Sequence, residues 1–190
     1  MAVVVVVASL VLAACGAGGN AQSGTGSQSG HGMMGGASGY HFSKVSCPAP
    51  GALPGQLVTV RLGDMGMTRM RGGTAALGER MMLRAAPRAF AAGTVSLVAT
   101  NRGWRTHELV VLPLAAGQRA GQRPVHADGE VDEEGDLGEA SASCSAGIGE
   151  GIRAGTVGWT TLTLAPGRYE LVCNLRNHYA NGMHQEIRVT

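Results

Sequence analysis

The most informative segment of the chain is Cys173-Asn174-Leu175-Arg176-Asn177-His178-Tyr179-Ala180-Asn181-Gly182-Met183. It offers a soft thiolate, an imidazole and a thioether from one short loop, and copper sites are built from these ligand types. A further imidazole has to come from another part of the chain. The candidate is His107, in the segment Thr106-His107-Glu108-Leu109-Val110-Val111-Leu112.

Strand patterning explains why His107 and Cys173 are expected to meet. Cys173 ends an alternating apolar segment, so its side chain is predicted to point inward, on the same face as Leu171 and Tyr169. The sulfur would then lie at one end of the core, and His107 reaches the same end if its strand is a neighbour. The remaining histidines are poorer candidates, because they lie near Gly-rich or acidic sequence or directly after Met183: His31, His41, His126 and His184.

Short β-branched and alternating segments predict an all-β fold, as in a sandwich or barrel. The expected strands cover residues 56–62, 94–100, 106–112, 157–164, 168–173 and 185–190. Helical periodicity is rare, so few short helices are expected. The strongest exception, residues 74–86, predicts either a short helix or a strand around Met81.

Residues 114–155 form an acidic segment without regular pattern, which predicts a long loop insertion packed over the sandwich. Seven acidic residues crowd one stretch of it: Asp128, Glu130, Asp132, Glu133, Glu134, Asp136 and Glu139. Such a run is usually a solvated loop, although clustered charge also raises the association rate with a basic partner. The net charge of the chain is only +2, which gives no case for nucleic-acid binding.

The beginning of the chain predicts export and a lipid anchor. Residues 1–15 contain an apolar run that is too short for a membrane span, which needs about 20 apolar residues, but suits a signal peptide. Leu12-Ala13-Ala14-Cys15 matches a bacterial lipobox, in which the cysteine is lipidated, although no Lys or Arg precedes the run. The alternative is a buried strand or helix.

A Gly/Ser-rich segment, residues 16–40, follows the lipobox and predicts a flexible tether. The folded domain is therefore expected over residues 41–190. Inside the tether, His31-Gly32-Met33-Met34 is either plain linker or a weak copper-capture motif. We expect a lipid-anchored protein on the cell membrane, facing the periplasm or the cell exterior.

The four cysteines can each be given a role. With Cys15 lipidated and Cys173 in the metal loop, Cys47 and Cys144 remain, and the default in an oxidising compartment is a disulfide between them. It would close a long loop, worth about 4–5 kcal/mol in the chain-entropy description. Pairing of either cysteine with Cys173 is the alternative that would destroy the copper site. Zinc is less suitable than copper, because zinc sites do not need a thioether.

With these residues assembled, the chain resembles the cupredoxins, particularly the sulfocyanin and rusticyanin-like branch. The resemblance covers residues 42–190 and is carried by the Cys-x4-His-x4-Met spacing, by Pro166-Gly167-Arg168-Tyr169 before the Cys173 strand, and by residues 101–109. It implies a Greek-key β-sandwich holding one type 1 copper ion. His107, Cys173 and His178 would be the strong ligands and Met183 the axial one.

The resemblance implies an electron carrier that is not an enzyme. Its partners would be redox proteins such as a cytochrome or a terminal oxidase, with the membrane reached through the lipid anchor. The imidazole edge of His178 would be the exit for electrons. Asn174 is a candidate backbone donor to the sulfur, and Asn101 and Asn177 are candidates for tying the ligand loops together or are plain turn residues.

Three other classes compete with the electron carrier. The Met-rich segment containing Met65, Met67 and Met70 either fills core or handles copper, so a copper carrier that supplies an oxidase is the alternative. A copper enzyme would need further copper sites, usually built from paired His-x-His motifs, and the sequence has none. A module that has lost its metal is disfavoured by the intact ligand set.

Overall fold

The computed structural model describes residues 44–65 and 75–190, and within these ranges it consists of two β-sheets without a helix. One sheet has the order β2-β1-β4-β7 and the other the order β3-β9-β8-β5-β6. The strands are β1 (Gln56–Asp64), β2 (Met81–Ala86), β3 (Ala89–Phe90), β4 (Gly93–Asn101), β5 (Leu109–Pro113), β6 (Gly138–Ala140), β7 (Val157–Leu164), β8 (Gly167–Val172) and β9 (His184–Val189).

The two sheets enclose one main core, which explains the alternation seen in the sequence. Val95, Leu97 and Ala99 on β4 are buried, as are Tyr169 and Leu171 on β8, because alternate side chains of a strand face the same side. The chain crosses between the sheets after β2, β3, β4, β6 and β7, as in sandwiches with Greek-key connections. The expected all-β sandwich is confirmed.

The expectation of short helices is wrong for the described part of the chain. The sequence predicted either a helix or a strand within residues 74–86. In the structure, Met81–Ala86 forms β2 and pairs antiparallel with β1. The strand expected at residue 106 begins only at Leu109. The chain turns between Asn101 and Arg105, and His107 makes an isolated bridge to Ile152 instead.

The acidic segment is more ordered than a long irregular loop. The expectation of a long loop insertion is therefore not confirmed. It contains β6, which pairs with β5, and a bridge between Val125 and Val131. Val131 is buried in a second apolar cluster on the outer face of β5 and β8. The segment therefore forms a layer on the five-stranded sheet, and most of its acidic residues are exposed.

The expected disulfide between Cys47 and Cys144 is present, and Cys173 is a free buried thiol. The expected signal peptide, Cys15, the tether, Met67 and Met70 lie outside the described residues. Among the described residues, no helix has the length and hydropathy that a membrane crossing requires.

Candidate metal centre

The four candidate ligands meet at one pole of the sandwich because their strands are neighbours. Cys173 directly follows β8, Met183 directly precedes β9, and His178 lies in the turn between them. Val172 pairs with Val110 on one side and with His184 on the other, which brings the start of β5 to the same pole. The ligand residues are all 0% exposed: His107, Cys173, His178 and Met183.

Three donor atoms converge in this pole. The His178 Nδ1 atom lies 3.3 Å from Cys173 Sγ and 3.2 Å from His107 Nδ1, and the third distance, from Sγ to His107 Nδ1, is 4.0 Å. All three donors lie within 4.8 Å of one another. Lone pairs packed this closely and away from water suit a cation placed among them. The backbone of Met183 joins the cluster, since its N–H donates to His178 O and its carbonyl accepts from Cys173 N.

Asp64, at the end of β1, fixes the tautomer of His107. Its Oδ1 atom lies 3.1 Å from His107 Nε2, so Nε2 carries the proton and Nδ1 is left to bind a metal. Burial lowers the pKa of His107, which is therefore neutral. Burial alone would raise the pKa of Asp64, but hydrogen bonds from His107 and from the Arg105 and Trp104 backbone lower it. The pair is a neutral imidazole donating to a carboxylate.

The backbone of His107 is clamped by Ile152. The His107 N–H donates to Ile152 O at 3.1 Å, and the Ile152 N–H donates to His107 O at 2.7 Å. The Asn101 amide adds a second hold, because its Nδ2 donates to the carbonyls of Arg105 and Ile152, each at 2.7 Å. These two bonds join the segment before His107 to Ile152, which is not part of the loop that carries Cys173 and His178, so the prediction that Asn101 ties the ligand loops to each other is not confirmed.

The sulfur of Cys173 receives a hydrogen bond from an unexpected donor. The backbone N–H of Glu108 lies 3.3 Å from Sγ, whereas Asn174 N donates to the Glu108 carboxylate. The expectation that Asn174 donates to the sulfur is therefore wrong, because its amide is turned to Glu108 and its side chain to Val131. Burial, and then the charge of Glu108, raises the pKa of the Cys173 thiol.

His178 is enclosed rather than exposed, so its imidazole edge is not the surface exit that the sequence suggested. Burial lowers its pKa to about 3, and its Nε2 atom is buried without a hydrogen-bond partner among the described residues. Neighbouring amides hold its loop. Asn177 Nδ2 donates to Ala75 O at 2.8 Å, and Asn181 Nδ2 donates to Ala76 O at 2.8 Å. Asn177 also has a positive φ of 66°, so it is both a tie and a turn residue.

Tyr179 anchors the other side of the same loop. Its hydroxyl donates to the fully buried Glu170 at 2.9 Å and accepts the Arg123 N–H at 3.0 Å. Glu170 also receives the Arg123 side chain at 2.7 Å. The layer that contains Arg123 is thereby joined to both β8 and the ligand loop.

Sequence reasoning missed Asp64, Glu108 and Ile152. Asp64 ends an apolar strand, and an acidic residue in that position is a usable signal. Glu108 could be noticed only as the neighbour of His107, since its donating atom belongs to the backbone. Ile152 left no signal, because any residue can supply a backbone bridge.

The donor set fits one type 1 copper ion, which takes two imidazoles and a thiolate with a weak thioether. His126 and His184 do not belong to the converging group among the described residues. Met65 has its side chain 54% exposed and so does not fill core, and the other two residues of its Met-rich segment are not described.

No protein-family profile matches the sequence, and no curated protein matches it. Solved structures similar to this chain include blue copper proteins. Auracyanin A from Chloroflexus aurantiacus is 15% identical over 70% of this chain and 99% of that chain, with a TM-score of 0.44. Auracyanin B is 21% identical over 78% and 95%, with a TM-score of 0.43. Rusticyanin from Thiobacillus ferrooxidans is 17% identical over 72% and 79%, with a TM-score of 0.41. At these values the likeness does not decide the function, which depends on the donor set.

Proposed function

We propose that this protein is a cupredoxin that carries single electrons between membrane-associated redox partners through a type 1 copper ion. One observation carries the proposal: a buried cysteine sulfur and two imidazole Nδ1 atoms converge within 4.8 Å, next to a buried methionine. Bound copper would supply the Cu(I)/Cu(II) couple. His107, Cys173 and His178 would hold the ion, with Met183 as the weak ligand.

The residues around the donors suit electron exchange because they hold the ligands in place. Asp64 orients His107, Glu108 N–H reaches the sulfur, and the Ile152 bridge fixes the backbone. A site held in one geometry needs little rearrangement when the charge of the ion changes. Complete burial also excludes water from the ligands, which raises the influence of these hydrogen bonds on the potential.

Copper delivery is the alternative function. A carrier has to exchange its ion readily, and the exposed Met65 would suit a transfer site. The full burial of all four candidate ligands favours retention over exchange, so we rank electron transfer first. In neither role would the chain be an enzyme.

We further propose that the chain is exported and anchored through lipidated Cys15, so that it meets a cytochrome or a terminal oxidase at the membrane. The support is the lipobox sequence at Cys15. A Cys15→Ser variant should move from the membrane fraction to the soluble fraction of cells while keeping its copper spectrum. A variant that stays in the membrane fraction would contradict the anchor.

The visible absorption spectrum after addition of Cu(II) tests the proposed function. We expect an intense blue or green colour that disappears on reduction, because a thiolate–copper bond produces it, and a Cys173→Ser variant should remain colourless. A colourless wild-type protein would overturn the electron-carrier proposal. Colourless protein that still binds Cu(I) would support copper delivery instead.

A further inference from the structure

The Cys47–Cys144 disulfide lies outside the metal centre but is built into the segment that holds one ligand. Cys47 precedes β1, and Cys144 lies in the segment 141–155 between β6 and β7. Cys144 is exposed and Cys47 is partly exposed, so a dissolved thiol can reach the bond. Neither residue has a role in the proposed copper site.

The side chains of two serines make hydrogen bonds to the backbone within the segment 141–155. Ser143 Oγ donates to Gly151 O at 2.8 Å and accepts the Arg153 N–H at 2.8 Å. Ser141 Oγ makes a matching pair with Gly149, donating at 3.1 Å and accepting at 2.7 Å. Ser143, the neighbour of Cys144, thereby holds the backbone on both sides of residue 152.

Ile152 lies between the two residues held by Ser143, and it is the backbone partner of His107 in both directions. A second attachment comes from the residue beside Cys47, because Ser46 N donates to Gly155 O at 2.9 Å. The part of the chain before β1 is therefore attached to segment 144–155 at both ends, by the disulfide at Cys144 and by the hydrogen bond at Gly155. The ligand His107 is bridged to the middle of this segment.

We propose that the Cys47–Cys144 disulfide is a redox-sensitive clamp that positions His107. A dithiol reductant would transfer two electrons and two protons to the two sulfur atoms, giving two cysteine thiols and a disulfide on the reductant. Segment 144–155 would then loosen, and the bridge from Ile152 to His107 would open. The inference rests on the proposed function only in taking His107 as a ligand. It implies that copper is held firmly in oxidising surroundings and is lost when a dithiol is present.

Amide hydrogen exchange of the metal-free protein, with and without a dithiol reductant, tests the clamp without copper. We expect the His107 and Ile152 amides to exchange faster after reduction, while the Val95 amide in β4, at the opposite pole, changes much less. Unchanged exchange at His107 and Ile152 would overturn the proposal. Equal acceleration at both poles would also overturn it, since the disulfide would then be a general stabiliser.

Copper release to an excess of chelator gives the second readout. A Cys47→Ser/Cys144→Ser variant should lose copper about tenfold faster or more than the wild type, the scale seen when supporting contacts of a metal ligand are removed. The control is Leu164→Ala, which destabilises the fold by opening a cavity in the core at the opposite pole. It should change the rate of copper release much less. Equal acceleration in both variants would contradict the clamp. Failure of the wild type to bind copper would count against the proposed function instead, and the exchange experiment would still decide the clamp.

Discussion

At the scale of single residues, one oxygen atom of Asp64 organises much of the site. It accepts the Trp104 N–H at 2.8 Å, the Arg105 N–H at 3.0 Å and the His107 Nε2–H at 3.1 Å. The turn at residues 101–105 can approach the Asp64 carboxylate because residue 103 is glycine. A Cβ added at this position would collide with the same oxygen. The carboxylate thereby ties β1, the turn and the ligand together.

An Asp64→Asn substitution should raise the reduction potential of the copper site. The amide keeps the shape and can still accept from His107, but it removes a buried negative charge that favours Cu(II) over Cu(I). We expect a rise on the order of 60 mV, equivalent to a tenfold change for one electron. A redox titration followed by the visible band measures it. An unchanged or lowered potential would show that the carboxylate does not act through its charge.

At the scale of elements, the ligand loop is held from both sides. Asn177 and Asn181 join it to residues 75–78, and Tyr179 joins it to Glu170 on β8 and to the layer that contains Arg123. Burial raises the pKa of Tyr179 to about 12, so its hydroxyl remains a donor at physiological pH. The short loop between β8 and β9, which carries the three ligands Cys173, His178 and Met183, is therefore held at its ends and along both sides.

A Tyr179→Phe substitution should destabilise the metal-free protein by about 1–3 kcal/mol, because the buried Glu170 loses a donor and Arg123 N–H loses an acceptor. Denaturant unfolding measures the loss. Tyr169→Phe is the matched control, since that hydroxyl donates only to Ala165 O, at 2.7 Å, and its loss should cost less. Equal stability of Tyr179→Phe and wild type would contradict the anchoring role.

At the scale of the whole molecule, burial by the two sheets sets the protonation of the ligands. Desolvation disfavours charged forms, so it lowers the pKa values of His107 and His178 and raises that of Cys173. At neutral pH the metal-free site therefore contains two neutral imidazoles and a protonated thiol. The imidazoles are ready to bind, and the sulfur has to lose a proton first.

Copper binding at pH 7 should accordingly release about one proton, from the thiol, and its affinity should rise about tenfold per pH unit around neutrality. Calorimetry in buffers of different ionisation enthalpy counts the proton. Cys173→Ser should bind weakly and release none. A count near two or three would mean that one or both imidazoles are protonated in the metal-free protein.

Much of the fold and the ligand set could be derived from the amino-acid order. Cys173, His178 and Met183 occur within one loop, so their spacing is a local property that the sequence displays. The strands at 56–62, 94–100 and 157–164 were predicted because burial on one face leaves a period-two pattern. The pairing of Cys47 with Cys144 followed from elimination among four cysteines.

The contacts that hold those ligands depend on which strands become neighbours, and no local pattern records this. Asp64 and His107 are 43 positions apart, and Cys173 and the Glu108 N–H are 65 apart. Their meeting follows from the order β5-β8-β9 in one sheet and from the end of β1 lying at the same pole. The enclosure of His178 is likewise a property of packing. The local spacing of the sequence therefore identifies the ligands, whereas the residues that orient and bury them are brought together only by long-range pairing of the strands.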